Sequence, residues 1–130
     1  MGSVYKKSLV MSDFFRIFAI GKENMHSYKD IIDNVKTQLV PLLPSGAKLV
    51  LFGSRARGDA RDESDWDMLL LLDKPRIESP DFKKYAYPLV NYGWNIGEYF
   101  SVKLYTLNDW LKRRGSAFYN NIEREGIALC

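Results

Sequence analysis

Apolar residues along this chain recur in two distinct patterns. Between Tyr28 and Val40, the residues Ile31, Ile32, Val35 and Leu39 fall about one helical turn apart, which predicts a helix with a single apolar face. Ser27, with Asp30 three residues on, resembles a capping box at its start; Pro41, Pro44 and Ser45-Gly46 predict its end in a turn. Two unbroken apolar runs follow, Lys48–Phe52 and Trp66–Leu72. Both predict strands, and the successive leucines of the second predict burial on both faces. Between them the pattern predicts a short helix from Ser54 and a polar loop over Gly58–Ser64.

Asp73-Lys74-Pro75 reads as a turn. Pro80–Gly93 reads as a helix, with Phe82, Tyr85, Ala86, Leu89 and Val90 on one side and Gly93 near its end. Pro88 lies inside that helix and predicts a kink or break. Glu98–Tyr105 alternates as a third strand. Thr106-Leu-Asn-Asp109 predicts a capped start for a helix over Trp110–Arg113, and Ser116–Glu125 a last short helix before Gly126. The fold class expected is α/β (α+β): a small mixed β-sheet with helices packed mainly on one face. No internal repeat, low-complexity segment or interdomain linker is visible.

A chain of 130 residues suits one domain with one modest core. Residues 1–24 are expected to be an N-terminal extension and residues 25–130 the domain. Lys6-Lys7 followed by apolar Ser8–Ile20 superficially resembles a signal peptide, but Asp13 and Arg16 interrupt it and no small-residue cleavage site follows. The stretch is also too short and too charged to span a membrane, so no membrane role is expected. A net charge of +3 is too weak to argue for direct nucleic-acid binding. Cys130 is the one cysteine and His26 the one histidine. A disulfide framework and a cysteine metal site within the chain are excluded, Ser-His or Cys-His catalysis has little support, and a reducing cytoplasm is the expected compartment.

The candidate chemistry sits where the second strand begins. Asp65 and Asp67 are one residue apart, so on a strand they share a face with carboxylates about 7 Å apart. Like charges this close repel unless a cation neutralises them. Oxygen ligands suit a hard divalent ion, and Mg²⁺ uses one or two carboxylates together with substrate phosphates. Gly53-Ser54, directly after the first strand, offers backbone amides and a hydroxyl to a phosphate. Together these predict a site for a metal-bound nucleoside triphosphate. Trp66, between the two aspartates, faces the other way and is expected to pack.

The wording Gly53-Ser54-Arg55-Ala56-Arg57-Gly58, a short linker, then Ser64-Asp65-Trp66-Asp67 resembles the DNA polymerase β-like nucleotidyltransferase superfamily. It looks most like the minimal nucleotidyltransferase (MNT) domains that act as antitoxins in HEPN–MNT pairs. The likeness is close over Ser45–Leu72 and looser up to Gly126. It implies transfer of a nucleoside monophosphate, AMP from ATP, to a hydroxyl. It also implies two Mg²⁺ ions on Asp65 and Asp67, and phosphate contacts from Gly53, Ser54 and Arg55. The family's third carboxylate, a metal ligand that positions or deprotonates the acceptor, would be Glu98. A slip of one residue in the third strand reverses that: if Tyr99 and Ser101 occupy the site face, Glu98 points away.

The acceptor implied is a tyrosine of a helical toxin partner. Two other readings stand beside this one. A non-catalytic binding module would be favoured by a missing third carboxylate. A small-molecule transferase of the aminoglycoside or lincosamide type would need an acidic pocket, and none is obvious after residue 100. The cluster Tyr85, Tyr87, Tyr92, Trp94 and Tyr99 predicts an exposed apolar patch suited to a partner interface.

Overall fold

A computed structural model describes residues 27–130; the expectation for residues 1–24 lies outside them. The chain forms a mixed four-stranded sheet in the order β3-β2-β1-β4, where β1 is Lys48–Phe52, β2 Trp66–Leu72, β3 Phe100–Thr106 and β4 Ile127–Ala128. β1 runs antiparallel to both β2 and β4, and β2 runs parallel to β3. A parallel pair needs a crossover, here supplied by Ser79–Asn95.

Helix α1 covers Tyr28–Asn34, and Ser27 caps it by accepting the Asp30 amide at 3.1 Å. The helix then widens to a π-helical turn over Val35–Leu39 and tightens to a 3₁₀ turn over Val40–Leu42. Pro41 is therefore carried as an early residue of a new tight turn, where its missing N–H costs nothing. The crossover shows the same device. α3 (Ser79–Asp81) leads into a π-helical turn, Phe82–Ala86, and then α4, Tyr87–Asn95. Pro88 clears the preceding carbonyls because the backbone is widened just before it. Gly93 does not end that helix. A Cβ there would overlap the Phe100 ring, Cγ lying at 2.9 Å, so this glycine is what lets α4 sit close on β3.

β2 is buried along nearly its whole length, as its leucines predict. Alternate residues feed two clusters. Trp66, Met68, Leu70 and Leu72 join Leu49, Leu51 and Phe100 under α1 and α4. Leu69 and Leu71 meet Trp110 of α5 (Leu107–Leu111) and Ile122 of α6 (Ala117–Glu125) on the opposite face. The larger core is on the first face. Thr106 caps α5 by accepting the Asp109 amide at 2.9 Å, and Ser116 caps α6 by accepting that of Tyr119 at 3.1 Å. Among the described residues no helix is long and apolar enough to cross a membrane.

Candidate active site

The candidate residues gather on the second face of the sheet, where β1 ends and β2 begins; α6 reaches this region through Phe118, its ring centroid 5.6 Å from that of Phe52, and Glu125, 3.1 Å from Arg57. Phe52, the last residue of β1, pairs with Asp67. Gly53 thus turns away from the sheet directly beside the Asp67 carboxyl. Its φ of 76° belongs to the left-handed region, and a Cβ there would collide with Asp67 Oδ2. Glycine is required on both counts. The chain then closes α2, Ser54–Arg57, with the Ala56 and Arg57 amides donating to Gly53 O at 3.0 Å each. The first amides of a helix have no intrahelical acceptor, and Ser54 and Arg55 hold those positions in α2.

Asp65 is exposed immediately before β2, and Asp67 is half-buried within it. Strand alternation sets both on the face opposite Trp66. Burial, first, and the Asp65 charge, second, push the Asp67 carboxyl above its ordinary range, while Lys103 and Arg57 pull it down. A folded-state pKa raised above the unfolded value means that ionised Asp67 opposes folding at higher pH, and that this opposition disappears as pH falls through the raised value. Asp67→Asn therefore raises the thermal midpoint of the ligand-free protein at neutral pH, and the gain vanishes in acid. Thermal denaturation across pH reads this; equal midpoints for the two proteins at neutral pH would contradict it.

Two expected site residues are placed elsewhere. Arg55 lies on the Trp66 side of β2, with its guanidinium carbon 4.7 Å from the Trp66 ring centroid. Its Nη2 donates to the carbonyls of Ser64 at 3.0 Å and Asp62 at 3.3 Å, and pairs with Glu98 Oε1 at 3.5 Å. Glu98 also accepts from Trp66 Nε1 at 2.9 Å. It precedes β3, which begins at Phe100 rather than at Glu98. The reason is register. Trp66 pairs with Phe100 and Asp67 with Ser101, so Ser101 and Lys103 share the face of Asp67. Tyr105 follows the same alternation and packs on Trp110 across 5.7 Å. Glu98 and Arg55 thus hold the loop before β2 rather than facing the carboxylate pair.

Oxygen donors paired on one face suit a hard cation, and the raised pKa of Asp67 marks charge that such an ion would relieve. Asp65 and Asp67 are the two carboxylates that strand alternation sets on that face. Among the described residues no group of three acidic, histidine or cysteine side chains gathers to hold a metal. Arg57 is engaged on the rim, its Nε 3.2 Å from Asp59 Oδ2 and its Nη1 3.1 Å from Glu125 Oε1. On the Trp66 side lies a separate cavity of about 380 Å³, lined by Asp62, Glu63, Glu98, Trp94 and Tyr99 among others. Sequence reasoning missed this cavity and the place of Lys103 on the face of Asp67, though it allowed Ser101 there as the alternative register. The signal available for the latter was the alternation of Ser101 and Lys103 with Phe100 and Val102.

A carboxylate pair thus opens one strand, set against a Gly-Ser bend that closes its antiparallel neighbour. The model of the nucleotidyltransferase domain family matches residues 32–121, and the chain belongs to that family. A solved structure of a mutant of the toxin–antitoxin MntA-HpeT is similar over 81% of this chain and 73% of that one, at 17% identity and a TM-score of 0.45. No curated protein matches the chain.

Proposed function

We propose that this domain transfers a nucleoside monophosphate, AMP from ATP, to a hydroxyl group and releases pyrophosphate. The observation that carries the reading is the contact of Gly53 with Asp67, which supports reading the bend as a phosphate contact beside a carboxylate that would hold the metal. Asp65 and Asp67 would hold Mg²⁺, whose chemistry is to neutralise phosphate charge and polarise the phosphorus centre under attack. The Ser54 hydroxyl and the amides of α2 hydrogen-bond the outer phosphates and fix their position. The acceptor oxygen forms its bond to the α-phosphorus as the bond to the bridging oxygen breaks, and its proton leaves to solvent or base. Positioning and fixed charge supply most of the acceleration in such transfers.

The acceptor comes from outside the domain. Tyr87, Trp94 and Tyr99 are exposed at 51%, 70% and 52%, a surface suited to a protein partner. Its resemblance to minimal antitoxins makes a helical toxin the partner and one of its tyrosines the acceptor, in a reducing cytoplasm. ATP labelled at the α-phosphate transfers label to that partner in the presence of Mg²⁺, and ATP labelled at the γ-phosphate does not. Absence of α-label transfer to any co-purifying protein would defeat this acceptor. ATP with Mg²⁺ at one hundred times its dissociation constant stabilises the domain by about 2.7 kcal/mol; no stabilisation would defeat the nucleotide site itself.

A further inference from the structure

The register of β2 and β3 assigns to Lys103 a part in this site that no carboxylate fills. We propose that the Lys103 ammonium supplies the fixed positive charge for the triphosphate, so that the domain binds one divalent cation per nucleotide rather than two. The inference rests on the nucleotide reading above and deepens it.

Two cations at one centre need carboxylates enough to bridge and balance them. On this face Asp67 has Ser101 beside it on β3, and Lys103 stands one pair further along, beside Leu69. A neutral hydroxyl is a weaker ligand for Mg²⁺ than a carboxylate and balances none of its charge, and an ammonium repels the ion. Both residues therefore oppose a second cation next to Asp67. The same ammonium is suited to phosphate oxygens, which it meets as a compact point charge with three donors.

Lys103 is free to do so. It is exposed, and it makes no ion pair with the described residues. Arg57, the other cation whose field reaches Asp67, is already engaged by Asp59 and Glu125. The rival role for a lysine on an edge strand is to discourage pairing with another sheet. That role makes no demand on nucleotide or metal.

Equilibrium dialysis of Mn²⁺ against the full chain saturated with α,β-methylene-ATP counts metal per bound nucleotide. The expected ratio is one. Ser101→Asp, which adds a carboxylate beside Asp67, is expected to raise it to two. Lys103→Met weakens the analogue's affinity by about tenfold, the loss of a charge-assisted contact. Lys83→Met, which removes an equal charge from the crossover, leaves that affinity unchanged. A ratio of two in the unaltered protein would overturn the proposal. So would equal affinities for Lys103→Met and the unaltered chain. Failure of the unaltered chain to bind the analogue at all would instead defeat the nucleotide site.

Discussion

Asp65→Ala and Asp67→Ala each reduce nucleotidyl transfer by about a thousandfold or more. Each removes half of the donor set proposed for the cation, whose neutralisation of transition-state charge would be worth several kcal/mol, and each 1.36 kcal/mol is a factor of ten. Unfolding does not explain the loss. Asp65 is exposed, and removing the half-buried charge of Asp67 relieves desolvation rather than creating it. Both variants should therefore melt no earlier than the parent without ligand, yet lose the stabilisation that ATP and Mg²⁺ confer. Single-turnover label transfer with thermal denaturation on the same samples reads both quantities. Variants that keep transfer within tenfold of the parent would remove the carboxylate pair from the chemistry. Variants that lose transfer but still silence a partner protein would make the domain a binding module that acts by contact.

The site's two halves were legible because each depends on local pattern. Asp65 and Asp67 share a face whenever Trp66–Leu72 is a strand, and five successive apolar residues after Asp67 leave little alternative. Gly53 follows an apolar run that must stop, and its backbone geometry needs no distant partner to be predicted. The third strand was not legible to the residue. Glu98, Tyr99 and Phe100 alternate equally well in either register. What decides between them is tertiary: the Tyr99 carbonyl accepts the Trp66 amide at 2.8 Å, and Phe100 fills the space beside Gly93. That step of one residue moves Glu98 off the site face and brings Ser101 onto it.

The same limit explains the rest. β4 has two residues, Ile127 and Ala128, too few to show a period, and it exists because Leu51 and Val50 of β1 offer a free edge. The π-helical turn before Pro88 resolves a conflict between an amphipathic pattern and a residue without an N–H. A sequence shows that conflict but not which backbone adjustment relieves it. The cavity beside Trp94 joins residues from the loop before β2 with residues from the end of the crossover. Only the parallel pairing of β2 and β3 brings them together.

Trp66→Ala costs about 3–5 kcal/mol of stability, the range for removing a large aromatic from a packed interior. That is a large share of the roughly 5–15 kcal/mol available to a domain of this kind. Trp66 is 1% exposed, stacked between Tyr28 and Phe100 at 5.5 and 5.8 Å between ring centroids, and Arg55 covers it at 4.7 Å. Its indole N–H ends on Glu98 at 2.9 Å. Alanine opens a cavity under α1 and leaves Arg55 and Glu98 without the group that joins them. Phenylalanine separates these contributions, because it keeps a ring in the stack and removes only the N–H. Trp66→Phe is expected to cost about 1–2 kcal/mol, the share of one hydrogen bond to a charged group plus a modest packing change. Denaturant unfolding of the three proteins measures the difference. If phenylalanine costs as much as alanine, the Glu98 bond rather than the stack holds the start of β2. Because Asp65 and Asp67 flank Trp66, the carboxylates keep their common face only while this side chain remains docked. Trp66→Ala should accordingly lose Mg²⁺-dependent ATP binding at temperatures where Trp66→Phe retains it.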